Sequence, residues 1–297
     1  MADKHILHML SPLPQVSPFD VNMALDAGYD AVLPYSRIEA SDVQGLVQDA
    51  IFSRPPKLAI RTGIFIGGRD AIAALDMLAA AKAAMVPPFI VSCFADPAGS
   101  FTTAAAMVAK AVQQLKAAHG RTLSGLRVAV FGATGVVGFA SAVIAALEGA
   151  RVTMVGHTGV ERVAKSADEI GRRFGVTVAA ADGASDAAKE AVLAGADVVF
   201  CAGRAGTQIL SRAQVAAAPH MLVVCDVNAV PPLGVERLGV QDDGVVLSGP
   251  TRGIGALAIG HIKYQTEFGL FRRMIEAQKP VSFDFRDAYA FATDLVG

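Results

Sequence analysis

The chain has 297 residues, of which 53% are hydrophobic and 18% charged, with 29 glycines and a formal net charge of −1. This composition is typical of a folded α/β protein and argues against disorder. The near-zero charge provides no basic surface for nucleic acid or for an acidic membrane, so neither is expected as a partner.

The first part of the chain alternates strand and helix patterns. Strands are predicted at residues 6–10, 31–34, 58–66 and 89–94, and helices at residues 18–27, 40–51, 71–84 and 102–118. The last of these helices is rich in alanine and is expected to connect two domains, because the length of the chain suits two. We therefore predict an α/β substrate domain at residues 1–118, completed by C-terminal helices at 270–297.

A second βαβ array, predicted to form a dinucleotide-binding domain, covers residues 119–269. Its strands are predicted at 127–131, 151–155, 176–180, 196–202, 221–226 and 244–248, and its helices at 137–149, 160–174 and 185–194. Six strands in this order predict the doubly wound parallel sheet of a Rossmann domain. A further helix from residue 256 past 268 and a last helix at 285–295, which is expected to pack on the first domain, complete the chain.

The strand at 127–131 leads directly into three glycines and a helix: Val128-Ala-Val-Phe-Gly-Ala-Thr-Gly-Val-Val-Gly138. Gly132 permits a tight turn, Gly135 permits backbone amides to approach a pyrophosphate, and Gly138 permits close packing of helix and strand. We predict that this turn binds NAD or NADP. Its predicted contacts are Gly132, Thr134, Gly135, Val136, Val137 and Gly138, with Ala202 and Gly203 after a later strand.

The next strand ends in Gly156-His157-Thr158, without the acidic residue that binds the adenine ribose in strict NAD sites. NADP is therefore permitted. No arginine lies at the turn itself, although Arg162 and Lys165 follow on the next helix. His157 and Thr158 are predicted to bind either form of the ribose, so that NAD and NADP are weakly discriminated, although His157 could equally be a solvated loop residue.

Three further polar residues are candidates for the site. Asp20 precedes a predicted helix and is either catalytic or a helix cap. Lys263 lies in an apolar stretch and is either a functional lysine or one whose ammonium reaches solvent. Asn228, after Asp226 at a strand end, either lines the nicotinamide pocket or forms an Asx turn.

Other kinds of site are not supported. The cysteines Cys93, Cys201 and Cys225 lie in apolar runs without metal-ligand spacing, which indicates buried thiols and no metal site. None of the four tyrosines has a lysine four residues later, which excludes the short-chain dehydrogenase pair, and no nucleophile elbow, Walker loop or zinc helix occurs. The uncharged window at 128–147 contains the glycine turn, so we reject a membrane span, and no leader pattern is found, so a cytoplasmic location is expected.

Nearly the whole chain resembles the NAD(P)-dependent methylene-tetrahydromethanopterin dehydrogenases of methylotrophic bacteria. The motifs that carry the resemblance are Pro18-Phe-Asp-Val21, Phe65-Ile-Gly-Gly-Arg-Asp70, Val91-Ser-Cys93, residues 99–106 (GSFTTAAA), the glycine turn, residues 228–234 (NAVPPLG) and residues 255–263 (GALAIGHIK). The resemblance implies oxidation of a carrier-bound methylene group, with hydride passing to NAD or NADP. It also implies a homo-oligomer, expected to be a trimer.

The resemblance implies roles for several residues. Asp20 would place a carboxylate near the pterin or the forming cation, Lys263 would polarise the reacting centre, and Phe19 would wall the pterin ring. Phe101 and Thr102 are further expected substrate contacts. Family members specific for NADP have Arg-Lys where this chain has His157-Thr158, which favours use of both cofactors and a role in formaldehyde oxidation.

Three alternatives stay open at this point. The carrier could be tetrahydrofolate, although the Tyr-x-x-x-Lys pair of the folate enzymes is absent. The substrate could be a shikimate-like hydroxy acid. The chain could also be a catalytically silent regulator that senses NAD(P).

Overall fold

The computed structural model describes residues 3–297, in two compact units. Unit 1 comprises the chain up to Thr102 together with Tyr264–Phe291, and unit 2 comprises Thr103–Lys263 and Ala292–Gly297. The predicted domain boundary at residue 118 lies at the end of a helix, whereas the units divide near the start of that helix. The domain limits drawn from the sequence stay a prediction.

Unit 1 contains five strands and most of six helices. In chain order these are β1 (Ile6–Leu10), α1 (Pro18–Ala27), β2 (Ala31–Tyr35), α2 (Val43–Phe52), α3 (Pro56–Ala59), β3 (Thr62–Ile66), α4 (Ala71–Ala83) and β4 (Ser92–Ala95), with α10 (Ala256–Glu276), β12 (Ser282–Phe283) and α11 (Phe285–Val296) from the end of the chain. The sheet order is β12-β4-β3-β1-β2, and all its strand pairs are parallel. The strand order reverses between β1 and β3, so this edge forms a crevice where ligands bind in such sheets.

Unit 2 begins within α5 (Ser100–His119) and contains the elements β5 (Arg127–Phe131), α6 (Val136–Leu147), β6 (Arg151–Gly156), α7 (Glu161–Phe174), β7 (Val178–Asp182), α8 (Asp186–Leu193), β8 (Val198–Cys201), α9 (Arg212–Ala217), β9 (Val223–Asp226), β10 (Asp243–Ser248) and β11 (Thr251–Ile254). The sheet order is β10-β11-β9-β8-β5-β6-β7. Six of its strands are parallel, and β10 pairs with β11 in antiparallel fashion. The predicted doubly wound α/β fold is confirmed.

Local sequence explains why some predicted elements have the observed bounds. Ser17 accepts a hydrogen bond from the Asp20 amide, Pro18 occupies the first helical position, and Gly28 ends α1 with φ at 114°. The predicted strand at 58–66 was too long at its start, because Pro56 opens the short helix α3 and the strand begins only at Thr62. The elements α9, β11 and β12 were not predicted, and the sheet of unit 2 has seven strands where six were expected.

An ion pair fixes the start of two central strands of unit 2. Asp197, directly before β8, accepts hydrogen bonds from the Arg127 backbone amide at 2.8 Å and from its guanidinium at 2.9 and 2.7 Å. Burial opposes the charge on Asp197, but these hydrogen bonds outweigh it and hold the pKa of the carboxyl below its usual value. The bidentate geometry makes this a strong pair even though the arginine is partly exposed.

We expect the substitution Asp197→Asn to lower the free energy of unfolding by about 1–2 kcal/mol at pH 7, since two charge-assisted hydrogen bonds weaken at a partly exposed site. Because the folded carboxyl has a lowered pKa, its contribution is complete at neutral pH and is lost as the pH falls through the folded pKa. Urea unfolding of the wild-type protein and of Asp197→Asn, from pH 7 down to pH 3, measures the difference in their free energies of unfolding. A difference in stability that stays constant over that range would contradict the assignment.

Candidate dinucleotide and substrate sites

The glycine turn lies between β5 and α6, at the carboxyl edge of the sheet of unit 2. Gly132 has φ at 72°, and a Cβ atom on it would overlap the carbonyl oxygen of Ala202. A Cβ atom on Gly138 would lie 2.5 Å from the Gly132 oxygen. Both positions therefore require glycine because backbone occupies the space, as the sequence predicted.

Gly135 differs from the other two glycines. A Cβ atom on it would meet only the Gly132 oxygen, at 3.3 Å, and the residue is exposed. Gly135 is also the N-cap of α6, where no side chain caps the helix. The amides of Val136 and Val137 in the first turn thus remain available to an anion, and the helix dipole favours negative charge there. This cradle fits a pyrophosphate.

A cavity of about 560 Å³ opens beside the turn, within the size range of ligand pockets. Its apolar walls include Phe131, Val155 and Ile209. Of the predicted cofactor contacts, Gly132, Thr134, Gly135, His157, Ala202 and Gly203 line it. The strand order reverses between β5 and β8 next to this cavity, which is where doubly wound sheets bind dinucleotides. Sequence reasoning missed Gly183, Lys189 and Arg204, which also line the cavity.

The packing at the end of β6 excludes an acidic side chain at the last residue of this strand, Gly156. Gly156 packs against the Gly159 backbone so closely that a Cβ atom would overlap the Gly159 carbonyl. A carboxylate at residue 156 would therefore require the turn to move. His157 and Thr158, in the turn after β6, are exposed, and they line a small adjoining pocket together with Arg162 of α7.

Asn228 has a role in the loop after β9. Its side-chain oxygen accepts hydrogen bonds from the amides of Gly206 and Val230, and its amide donates to the Pro232 carbonyl at 2.9 Å. This is the Asx-type arrangement that the sequence left open as one alternative. Two of these partners lie in the loop after β9 and the third, Gly206, lies in the loop after β8, so Asn228 holds the two loops together. Its contact with the cofactor stays a prediction.

The same loop is held by Asp226, which is almost completely buried. Its carboxylate accepts hydrogen bonds from the amides of Asn228 and Val235 at 3.0 and 3.1 Å. Burial raises the pKa of this carboxyl in spite of these hydrogen bonds. The carboxylate therefore serves to shape the loop between β9 and β10.

A second pocket, of about 250 Å³, lies in unit 1 at the carboxyl ends of β1 and β3. Asp20 lines it and is 3% exposed, whereas Arg69 lines it from the exposed side. Phe65 and the hydroxyl-bearing Ser11 also contribute. The pocket coincides with the reversal in strand order of this sheet, so a buried carboxylate lies at a ligand-binding position of the fold.

The structure buries Phe101 and Thr102, two of the other predicted substrate contacts. Phe101 is completely buried, with its ring 5.2 Å from that of Phe285. The Thr102 hydroxyl, also buried, donates to Asp96 at 2.5 Å, and Asp96 also accepts from the Phe101 amide. Phe101 therefore packs in the core, and Thr102 holds the start of α5. Contact of either residue with the substrate stays a prediction. Asp96, whose carboxylate holds the first turn of α5, was not among the predicted site residues.

Phe19 and Lys263 remain candidates. The Phe19 side chain is 46% exposed at the start of α1, next to Asp20, so an apolar ring is available to a ligand. Lys263 lies on α10 and is half-buried. Among the described residues, no cluster of side chains with metal-binding character occurs, and no helix is long and apolar enough to cross a membrane.

The doubly wound sheet and the glycine cradle define a dinucleotide-binding protein of the dehydrogenase type. A family model, "Methylene-tetrahydromethanopterin dehydrogenase, N-terminal", matches residues 18–98. The chain is 52% identical over 295 residues, 99% of either chain, to the NAD(P)-dependent methylenetetrahydromethanopterin dehydrogenase of Methylorubrum extorquens. The chain therefore belongs to the NAD(P)-dependent methylenetetrahydromethanopterin dehydrogenase family, as the resemblance predicted.

Two other relatives are more distant. The "Bifunctional protein MdtA" of Methylorubrum extorquens is 35% identical over 279 residues, 94% of either chain. The crystal structure of shikimate 5-dehydrogenase from Listeria monocytogenes, in complex with shikimate and NAD, has a TM-score of 0.59 at 14% identity, covering 100% of this chain and 98% of that one. The second likeness supports the fold alone.

The three glycines of the turn are expected to respond differently to substitution. Gly135→Ala should leave the thermal unfolding temperature within about 2 °C, yet weaken NADH binding about tenfold or more, because the added methyl group faces the open cradle. Gly138→Ala should instead lower the unfolding temperature, because the methyl group meets backbone. Calorimetry measures the unfolding temperature of each variant, and fluorescence titration measures its affinity for NADH. Equal destabilisation by the two substitutions would contradict this division.

Proposed function

We propose that this chain transfers a hydride from the methylene carbon of methylene-tetrahydromethanopterin to NAD⁺ or NADP⁺. The observation that carries the proposal is 52% identity over 99% of the chain to an enzyme of that name. The glycine cradle and the adjoining cavity supply a matching site for the cofactor. The products are methenyl-tetrahydromethanopterin and NADH or NADPH, so the reaction serves one-carbon, formaldehyde-oxidising metabolism.

The reaction demands little proton chemistry from the protein. Loss of hydride leaves a cation that is delocalised over the two nitrogens flanking the carbon, and no proton has to move. The site must therefore orient the carbon and stabilise positive charge. The bound nicotinamide supplies the hydride acceptor, and the residues of the chain supply position and charge.

Asp20 is the residue we assign to charge stabilisation. Its carboxylate is buried in the pocket of unit 1, where a low local dielectric strengthens its effect on a cation or on the N–H groups of a pterin. Phe19, beside it, offers a ring face to the pterin. An ammonium group would disfavour a neighbouring cation, so Lys263 is assigned to a hydrogen bond with a substrate lone pair outside the N–C–N unit, where it orients the reacting centre.

We also assign the enzyme to the cytoplasm. A nicotinamide pool is present there, and the thiols of Cys93, Cys201 and Cys225 stay reduced.

The family resemblance implies that the chain forms a homo-oligomer, specifically a trimer. Light scattering from the purified protein should give three times the mass of the chain, and a monomer mass would exclude this assembly.

The most direct assay offers the purified protein two carriers and two cofactors. Methylene-tetrahydromethanopterin should reduce both NAD⁺ and NADP⁺, seen as absorbance at the nicotinamide band, while methylene-tetrahydrofolate should give at least about tenfold lower kcat/KM. Activity with the folate carrier alone would overturn the choice of carrier. Cofactor binding without turnover on either carrier would favour the regulator that the sequence left open.

The residue assignments can be tested with matched controls. Asp20→Asn and Lys263→Ala should each lower kcat/KM for the carrier about tenfold or more, while the Kd of NADH changes less than about twofold. Asp26→Asn, an exposed aspartate on the same helix as Asp20, and Lys279→Ala, an exposed lysine, should leave both quantities unchanged. Loss of NADH binding in Asp20→Asn or Lys263→Ala would show that the residue belongs to the cofactor site and not to the substrate site.

A further inference from the structure

The small pocket beside the glycine turn has a volume of only about 10 Å³, so a ligand would lie across its mouth, and its wall contains the guanidinium-bearing residue Arg162. Arg162 lies in the first turn of α7 and lines the pocket with His157, Thr158 and Gly159. Gly132 and Thr134 of the glycine turn line its other side. The pocket thus adjoins the pyrophosphate cradle at the end of β6, where the ribose nearest the adenine is bound in such folds.

The guanidinium of Arg162 has no acidic partner among the residues that the structure describes. The ion pairs on the same helix instead join Glu169 to Arg172 and Arg173, more than a turn further along. Only the backbone carbonyl of Arg162 is engaged, by the Ser166 hydroxyl at 3.3 Å. The side chain is exposed, so its charge is available to a ligand in the pocket.

No carboxylate lines this pocket to repel an anion, and the tight contact between Gly156 and Gly159 leaves no room for any side chain at residue 156. A 2′-phosphate carries about two negative charges and three acceptor oxygens, which suit the planar, multidentate donors of arginine. A ribose diol needs only hydrogen-bonding groups, which His157 and Thr158 supply for either cofactor. Arg162 adds a group that the phosphate of NADP alone requires.

We propose that Arg162 binds the 2′-phosphate of NADP and is dispensable for NAD. This inference rests on the proposed use of both cofactors. Because Arg162 lies on the helix and not in the turn, its guanidinium can remain in solvent when NAD is bound. The chain thus accepts NADP without a basic residue at 157 or 158, and without losing NAD.

Fluorescence titration with NADPH and NADH, without any carrier, tests this directly. Arg162→Ala should raise the Kd of NADPH about 10-fold or more and that of NADH less than twofold, since charge-assisted hydrogen bonds to the phosphate are lost. Arg162→Lys should give an intermediate Kd for NADPH, because charge remains but the bidentate geometry does not. Lys165→Ala removes the same charge from the same helix, outside the pocket wall, and should change neither Kd more than twofold.

Four results would overturn the role of Arg162. Arg162→Ala could weaken the binding of NADPH and NADH equally, or change neither, and Lys165→Ala could lower the affinity for NADPH as much as Arg162→Ala does. The fourth is a wild-type protein that binds NADH but not NADPH. In each case the oxidation of the carrier with NAD⁺, measured separately, would still stand, so failure of this inference is distinct from failure of the proposed function.

Discussion

The close approach of backbone to backbone at the glycine turn is the constraint on which the dinucleotide site depends. Gly132 lies against the Ala202 carbonyl, and Gly138 lies against Gly132. These contacts bring the start of α6 and the loop after β8 to the same point of the sheet edge. Side chains at either position would separate these elements, and the amides of α6 would no longer face the cavity. At Gly135 a Cβ atom would meet only the Gly132 oxygen, so this position stays open toward the cavity.

Each unit places a pocket at the reversal in strand order of its own parallel sheet. In unit 2 the pocket walls are backbone, apolar side chains and cations, which suits a dinucleotide. In unit 1 the wall includes the buried carboxylate of Asp20 and the exposed guanidinium of Arg69. The proposed reaction assigns the anionic cofactor to the first of these pockets and the substrate that becomes a cation to the carboxylate in the second.

Much of this architecture was predictable because periodic apolar patterns and glycines act locally. The helix α1 and the strand β5 have the predicted bounds, since capping residues and a buried apolar run are visible in a single segment. By contrast, β12 is two residues long and exists because it pairs with β4, almost 190 residues earlier in the chain. β11 similarly depends on its pairing with β9 and β10. Such elements depend on tertiary partners, and their sequences alone do not identify them.

The site residues also divide into those recognised from local sequence and those whose role depends on distant partners. Gly132 and Gly138 lie at the spacing of a glycine turn between a strand and a helix, so sequence reasoning found them, although the contact that requires Gly132 is with the distant Ala202. The roles of Asn228, Thr102 and Asp96 depend on hydrogen bonds inside folded loops, which residue type alone does not reveal. A predicted ligand contact and a buried loop residue look identical in a sequence, and only the partners of the side chain separate them.

In the proposed reaction, hydride passes directly from the carrier-bound carbon to the nicotinamide. Single-turnover reaction with methylene-tetrahydromethanopterin bearing two deuterium atoms on the methylene carbon, followed by mass analysis of the reduced nicotinamide, tests it most directly. We predict one deuterium in each NADH or NADPH formed. Reduced nicotinamide that contains only solvent hydrogen would contradict the account.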